Sequence, residues 1–127
     1  MQRSGPHSYR DLIVWGRSMT FVTEVYRLTR RFPRDEIFGL MAQLRRASVS
    51  IPSNIAEGHA RPRRDYLRFL RIARGSVQET ETQLLIAIEL GFVTPADCDA
   101  ALKLADEVNR MLAGLGRATR ASRKGTP

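Results

Sequence analysis

The stretch that decides the fold is residues 62–91, which read PRRDYLRFLRIARGSVQETETQLLIAIELG. Its apolar and small residues recur at steps of three and four, the spacing that places side chains on one face of an α-helix. The members of this stripe are Tyr66, Leu70, Ala73, Val77, Thr80, Leu84 and Ala87. Pro62 suits the start of a helix and Gly91 suits its end. The stretch therefore predicts one long amphipathic helix, which needs partners to bury its apolar face.

Three further segments have the same spacing. In the first helix the stripe comprises Leu12, Trp15, Met19, Val22 and Tyr26. In the second helix, between Pro33 and Gly58, it comprises Ile37, Leu40, Leu44, Ala47 and Ile51. In the fourth it comprises Cys98, Ala101, Ala105, Val108, Leu112 and Leu115, with Gly116 as its end. Thr94, Pro95 and Asp97 form a typical start for this last helix. Together the segments predict an all-α, antiparallel, up-and-down four-helix bundle.

The second helix contains a proline, Pro52. A proline inside a helix removes one backbone donor and crowds the carbonyl four residues earlier, here that of Ser48. We therefore expect a kinked second helix, in which nearby serine and asparagine side chains bond the freed groups. The kink either shapes a subunit interface or groove, or is a tolerated bend, and the sequence leaves both interpretations open.

The chain has the size and composition of one globular domain, with 127 residues of which 43% are hydrophobic. We assign residues 1–9 to an N-terminal leader, residues 10–116 to the bundle and residues 117–127 to a basic disordered tail without periodicity. The single cysteine, Cys98, excludes an internal disulfide, and its place on an apolar stripe indicates a packed side chain.

Motifs that would indicate catalysis are missing from the sequence. It has no glycine-rich phosphate loop, Cys-x-x-Cys, His-Glu-x-x-His or Gly-x-Ser-x-Gly. We therefore expect no catalytic residue, metal site or cofactor, and no enzymatic activity, with His59 an exposed side chain of no special role. The carboxylates of Glu79, Glu81 and Glu89 leave acid catalysis as a minor alternative to a solvated face. No apolar run reaches 18 residues and no signal-peptide core is present, so we expect a cytoplasmic protein without membrane association.

The charge of the chain favours a polyanionic partner. Lys and Arg number 21 against 13 Asp and Glu, which gives a net charge of +8. Residues 1–74 carry +9, residues 75–116 carry −5 and residues 117–127 carry +4. All but two of the basic residues are arginines, whose planar fork pairs with phosphate bidentately. A GC-rich genome would enrich arginine equally well, so this bias alone does not decide between the two explanations.

A row of arginines follows the start of the third helix. Arg64, Arg68 and Arg71 lie opposite the core stripe, with Arg61 and Arg74 extending the row. Without interleaved acids such a row repels itself by a few tenths of a kcal/mol per pair, which favours anion binding over an ordinary solvated face. The predicted nucleic-acid-binding residues are Arg45, Arg46, Arg61, Arg63, Arg64, Arg68 and Arg71, which we expect to form one surface around the turn between the second and third helices.

The first helix has a second apolar row. It comprises Val14, Phe21, Val25 and Leu28, turned about 130° from the first row. Two apolar faces on one helix call for two partners, so we predict that the second row contacts a neighbouring subunit. The alternative is a broad core face within one chain.

Several motifs resemble one family, the four helix bundle proteins, also called 23S ribosomal RNA intervening-sequence proteins. The most specific motif is Ser-Ile-Pro-Ser-Asn-Ile-Ala-Glu-Gly at residues 50–58, preceded by Gln-Leu-Arg-Arg-Ala at 43–47. Tyr-Arg-Asp-Leu-Ile-Val-Trp at 9–15 and Glu-Thr-Gln-Leu at 81–84 add to it. The resemblance implies an up-and-down bundle that forms a five-fold ring, encoded within intervening sequences of bacterial 23S rRNA genes. A related branch, the accessory variability proteins of diversity-generating retroelements, is similar to basic pentameric barrels that bind nucleic acid and a reverse transcriptase.

Two functional hypotheses follow. The first is a non-enzymatic homo-oligomer, a pentamer by the resemblance, that binds RNA or DNA through its arginine-rich surface. The second is a protein–protein scaffold, for example a reverse transcriptase accessory protein of a diversity-generating retroelement. The two differ in what the purified protein would retain, nucleic acid or a defined protein.

Overall fold

Four α-helices, connected by short turns, make up the part of the chain that a computed structural model describes, residues 8–122. They are α1 (Ile13–Thr29), α2 (Leu40–His59), α3 (Arg63–Glu89) and α4 (Pro95–Ala121). Short 3-10 helices at Tyr9–Asp11 and Arg34–Glu36 precede α1 and α2. Each helix packs on the next and α4 closes against α1, with no strand in residues 8–122. The predicted four-helix bundle is confirmed.

Polar contacts between helices set their register. The hydroxyls of Ser50 and Ser76 lie 2.8 Å apart, so the second half of α2 runs beside the first half of α3. Arg17 of α1 and Glu107 of α4 form an ion pair at 2.8 Å. These contacts place the start of α1, the end of α2, the start of α3 and the end of α4 at one end of the bundle. Ser8 and Ser122, the limits of the described chain, therefore lie at that same end.

The predicted stripes of α3 and α4 form much of the core. Leu70, Val77 and Leu84 of α3 and Val108 and Leu112 of α4 are buried in one apolar core. The predicted start of α4 is also present as a capping box. In it the Thr94 hydroxyl accepts a hydrogen bond from the Asp97 N–H, and an Asp97 carboxylate oxygen accepts from the Thr94 N–H. Hydrogen bonds from Thr94, and then from Arg31, lower the pKa of Asp97.

The prediction for the second row of α1 is wrong. Val14, Phe21, Val25 and Leu28 are at most 5% exposed, so this row is a core face of the single chain and leaves no apolar surface of its own for another subunit. Ser18 lies on the same helical face, between Val14 and Phe21, and is fully buried. Its hydroxyl can be buried because it donates a hydrogen bond to the carbonyl of Trp15 at 2.7 Å. Because serine is polar, the apolar pattern of the sequence does not include Ser18 and favours the first row as the core face. That row includes Met19, which is 42% exposed.

The start of α2 also differs from the prediction. Ile37 lies in the turn before the helix rather than on its core stripe, and Phe38 beside it is 93% exposed. A side-chain oxygen of Glu36 accepts a hydrogen bond from the Leu40 N–H at 2.8 Å. This bond satisfies one of the backbone N–H groups that have no partner within the first turn of α2. The turn therefore presents two large apolar side chains to solvent.

Pro52 does not break α2. The helix is continuous from Leu40 to His59, and Pro52 is buried within it. Polar side chains bond carbonyls of the same turn: the Ser53 hydroxyl donates to Val49 O at 2.8 Å, and Asn54 Nδ2 donates to Ser50 O at 2.8 Å. These two bonds go to the two carbonyls that follow that of Ser48, which is the group that Pro52 leaves without its backbone donor, so they support the turn around the proline but do not replace the lost bond.

The predicted tail is partly helix. α4 continues through Gly116 to Ala121, so Arg117 and Arg120 belong to the bundle rather than to a disordered segment. Arg63 at the start of α3 holds this last turn, because its guanidinium donates to the backbone carbonyl of Arg120 at 3.1 Å. Residues 1–7 of the predicted leader and residues 123–127 of the predicted tail lie outside the described residues.

Candidate nucleic-acid interface

The arginine row of α3 faces solvent. Arg61, in the turn before the helix, and Arg64, Arg68 and Arg71 are exposed, while Leu70, Ala73 and Val77 on the opposite face are buried. This arrangement follows from the spacing: residues three and four apart share a face, so one stripe enters the core and the other stays in water. The predicted exposure of these four side chains is correct.

Arg45 has a structural role within the chain. Its Nε donates to the Thr29 hydroxyl at 2.8 Å, and its guanidinium lies 4.4 Å from the centre of the Tyr26 ring. Both partners are on α1, so the charged group joins α1 to α2. Arg45 is half-buried and its strongest contacts are already used, which makes it a poor phosphate ligand.

Arg46 is exposed but distant from the row on α3. Gln83 Nε2 of α3 donates to Gln43 Oε1 of α2 at 3.4 Å, and this contact fixes the register of α2 against α3. Arg46 then lies level with Thr80, about 13 Å along the axis from Arg71. The structure therefore separates Arg45 and Arg46 from the other five predicted residues, and the single surface expected from the sequence is not formed.

Two further arginines join the row instead. Arg117 and Arg120 at the end of α4 are exposed and lie beside the start of α3. Arg71, Arg74 and Arg120 line one small depression between the two helices. The sequence pattern did not indicate Arg117 and Arg120 as part of this surface, because Gly116 is typical of a helix end, whereas α4 continues to Ala121.

We call this part of the molecule the basic end. Its residues are Arg10, Arg61, Arg63, Arg64, Arg68, Arg71, Arg117 and Arg120. The described carboxylates at this end are those of Asp11, Glu57 and Asp65, and Glu57 forms an ion pair with Arg61 at 3.3 Å. The free N–H groups in the first turn of α3 add partial positive charge, because no side chain caps them, and the Asp65 carboxylate in that turn offsets part of it.

The opposite end of the bundle has a different balance. There arginines alternate with carboxylates, as in the ion pair of Arg31 with Asp97 at 2.8 Å and that of Arg27 with Glu24. Glu89 and Asp99 add negative charge at the same end. The positive field of the protein is therefore concentrated where α3 begins and α4 ends.

Three side chains with reactive groups, Cys98, His59 and Tyr66, are buried or half-buried in the packing of the helices. Cys98 is buried, and desolvation raises the pKa of its thiol, which keeps it protonated. His59 is half-buried rather than exposed, edge-on to the Tyr66 ring at 5.8 Å. Burial raises the pKa of Tyr66 as well, and its hydroxyl has no hydrogen-bond partner among residues 8–122.

The glutamates of α3 do not converge. Glu79 accepts a hydrogen bond from Gln83 at 3.3 Å, whereas Glu89 is exposed at the end of the helix. Within residues 8–122 no cluster of three His, Cys, Asp or Glu side chains is arranged to hold a metal ion. No described helix combines the length and apolar character needed to cross a bilayer.

Comparisons with known proteins agree with this architecture. A solved structure from Bacteroides thetaiotaomicron VPI-5482, described as a protein with unknown function from the S23 ribosomal protein family, is 25% identical with a TM-score of 0.72. The similarity covers 81% of this chain and 97% of that one. No curated protein matches. The family model described as 23S rRNA-intervening sequence protein matches residues 10–114. This chain therefore belongs to the 23S rRNA-intervening sequence protein family.

Proposed function

We propose that the protein is a non-enzymatic, cytoplasmic homo-oligomer that binds RNA or DNA through its basic end. The observation that carries the proposal is the row Arg61, Arg64, Arg68 and Arg71, exposed on one face with one carboxylate partner, Glu57, among residues 8–122. Guanidinium groups bind phosphate oxygens directly, and each phosphate that they neutralise releases condensed counterions. Binding of this kind follows the backbone and carries little sequence preference.

Salt dependence tests the nucleic-acid proposal. We expect the logarithm of the affinity to fall linearly with the logarithm of the salt concentration, because counterion release drives binding. Each neutralised phosphate contributes about 0.9 to the slope on duplex DNA and about 0.7 on single strands, so four contacts per chain give about 3 to 4. Fluorescence anisotropy with labelled oligonucleotides between low and physiological salt measures the slope. An affinity that does not change with salt, or no binding in dilute buffer, contradicts the proposal.

Self-association, as the pentamer that the family resemblance implies, is part of the same proposal. An apolar groove of about 330 Å³ lies between α1 and α2, lined in part by Trp15, Met19, Val49 and Pro52. On the other side of α1 a second apolar groove includes Ile13, which is 72% exposed. A closed ring needs two different surfaces on every copy, and these grooves supply one on each side of α1. Assembly would also place several basic ends on one particle.

A charge introduced into the α1–α2 groove should separate the subunits. We expect Val49→Glu to lower the mass in solution to that of one chain, because a carboxylate enclosed in an apolar contact loses its hydration. Ile72→Glu is the matched control: Ile72 and Val49 are both 40% exposed, and Ile72 lies on α3 away from the groove. Light scattering after gel filtration measures both masses. A wild-type protein that is already a monomer at micromolar concentration, or an unchanged mass for Val49→Glu, contradicts this assignment.

A scaffold for a protein partner, for example a reverse transcriptase, is the second candidate. It is favoured by the turn before α2, where Phe38 is 93% exposed and Ile37 is 54% exposed. Large apolar side chains that protrude in this way are typical of protein–protein contacts. Purification of the protein with its cellular partners separates the two candidates, since the first predicts bound nucleic acid and the second a defined protein that Phe38→Ser releases.

A further inference from the structure

Two arginines of the basic end share one aromatic ring. The guanidinium of Arg61 lies 5.1 Å from the centre of the Phe69 ring, and that of Arg68 lies 4.7 Å from it. Because both distances are measured to the same point, the two cations are no more than about 10 Å apart. That separation lets them bind one phosphate or two consecutive phosphates of a nucleic-acid backbone.

The ring is fixed by close packing between α2 and α3. Phe69 is 7% exposed, and its Cβ occupies the place where a side chain at position 58 would begin. A Cβ built on Gly58 would lie 2.5 Å from the Phe69 Cβ, so glycine is required for this approach. The position of the ring is therefore set by the bundle itself and does not depend on a ligand.

The charges around the ring do not balance. Arg61 pairs with Glu57 at 3.3 Å, whereas Arg68 has no carboxylate partner among residues 8–122. Two neighbouring cations with one exposed anion leave a net positive charge, and the ring faces hold the guanidinium groups without using all their N–H donors. A ligand with negatively charged oxygens would complete the cluster.

We propose that Arg61, Arg68 and Phe69 form a phosphodiester-binding subsite in which Phe69 is the positioning residue and Glu57 is a competing internal anion. This inference rests on the proposed nucleic-acid binding and specifies how part of it works. Stacking on Phe69 restricts both guanidinium groups before binding, so less side-chain freedom is lost when the phosphate arrives. The phosphate then displaces Glu57 from Arg61.

The two roles predict opposite effects on affinity for a labelled oligonucleotide at low salt. Phe69→Leu keeps an apolar side chain in the packed position but removes the ring face, and we expect about threefold to tenfold weaker binding. Glu57→Gln removes the competing carboxylate, and we expect about twofold to fivefold tighter binding. Both changes should leave the salt slope nearly the same, because the number of arginines does not change.

Matched controls separate these effects from loss of packing and from net charge. Phe92→Leu removes a ring at the opposite end of the bundle, where Phe92 packs on Phe32 at 5.3 Å, and should leave affinity unchanged. Glu89→Gln makes the same charge change as Glu57→Gln on an exposed carboxylate at the opposite end. Thermal melting of each variant shows whether it is folded. If Phe69→Leu fails to fold, Arg68→Lys, which keeps the charge but loses the planar fork, replaces it.

The outcomes separate this inference from the broader proposal. If the wild-type protein binds with the expected salt slope but Phe69→Leu and Glu57→Gln behave like their controls, the subsite is wrong while nucleic-acid binding stands. If the wild-type protein binds no oligonucleotide, the proposed function fails and the subsite with it. Millimolar inorganic phosphate is added as a competitor in a parallel titration. Displacement of the oligonucleotide at constant ionic strength would identify free phosphate, rather than the backbone, as the ligand of the cluster and would overturn the assignment.

Discussion

Replacing Phe21 by alanine is expected to lower the free energy of unfolding by about 3–5 kcal/mol. Phe21 is fully buried in the core between the helices, so the substitution removes a large apolar side chain and leaves a cavity. Because a domain of this size has a total stability of about 5–15 kcal/mol, much of it is lost. Chemical denaturation followed by circular dichroism measures the change.

The control for Phe21→Ala is an exposed apolar residue away from both grooves. Ile86 of α3 is 41% exposed, and Ile86→Ala should cost less than about 1 kcal/mol. The pair also distinguishes the two interpretations of the second row. A subunit-interface role for Phe21 would give a folded protein of lower mass with nearly unchanged stability, and that result would contradict its place in the core.

Removing three charges from the row on α3 is expected to abolish most nucleic-acid binding. In Arg64→Ala/Arg68→Ala/Arg71→Ala, each lost guanidinium–phosphate contact costs about 1 kcal/mol or more, so affinity should fall on the order of a hundredfold. The salt slope on duplex DNA should decrease by about 2.7, since three fewer phosphates are neutralised. Stability should stay the same or rise slightly, because neighbouring like charges are removed.

The control removes the same total charge from the opposite end. Arg27, Arg30 and Arg34 are exposed arginines at the end of α1 and in the turn that follows. Their triple alanine variant should retain most of the affinity and most of the salt slope. Equal losses in both triple variants would show that net charge alone drives binding, and the assignment to the basic end would then be incorrect.

The helices of the bundle are largely predictable from the sequence. The stripe from Leu70 to Ala87 is regular over several turns and contains no competing polar position except Thr80, whose hydroxyl bonds the carbonyl of Ser76 at 2.7 Å. The capping box of Thr94 and Asp97 is a local signal, because both of its hydrogen bonds join residues three apart. Such features need no knowledge of the rest of the chain.

The mistakes arise where side chains from distant parts of the chain decide the outcome. Spacing alone offers two faces for α1, and burial of the Ser18 hydroxyl selects between them. Gly116 resembles a helix end, yet the bond from Arg63 to the carbonyl of Arg120 supports one more turn. The contact between Arg63 and Arg120 joins residues 57 positions apart, and the burial of Ser18 depends on the helices that pack on α1, so local patterns contain neither.

In the candidate site, too, local sequence patterns predict some features and contacts formed only on folding decide others. The exposure of Arg64, Arg68 and Arg71 follows from periodicity within one helix, and the structure confirms it. Arg45 is also an arginine, but its guanidinium packs on the Tyr26 ring of another helix and is therefore not free for a ligand. The shared ring of Phe69 is likewise invisible in the sequence, because Arg61 precedes the helix and only folding brings the two together. Counting arginines therefore finds the region but not the individual ligands.

The even number of helices has a practical consequence for anyone who handles this protein. In an up-and-down bundle of four helices the first helix begins and the last helix ends at the same end of the bundle. A sequence joined directly before Ser8 or after Ser122 is therefore attached beside the arginines of the basic end. A fluorescent fusion placed directly before Ser8 or after Ser122 would crowd that surface, and an acidic tag placed there would mask it. A label inserted instead in the α3–α4 turn near Gly91, where φ is +77°, would sit about 40 Å from Arg63 along the length of α3.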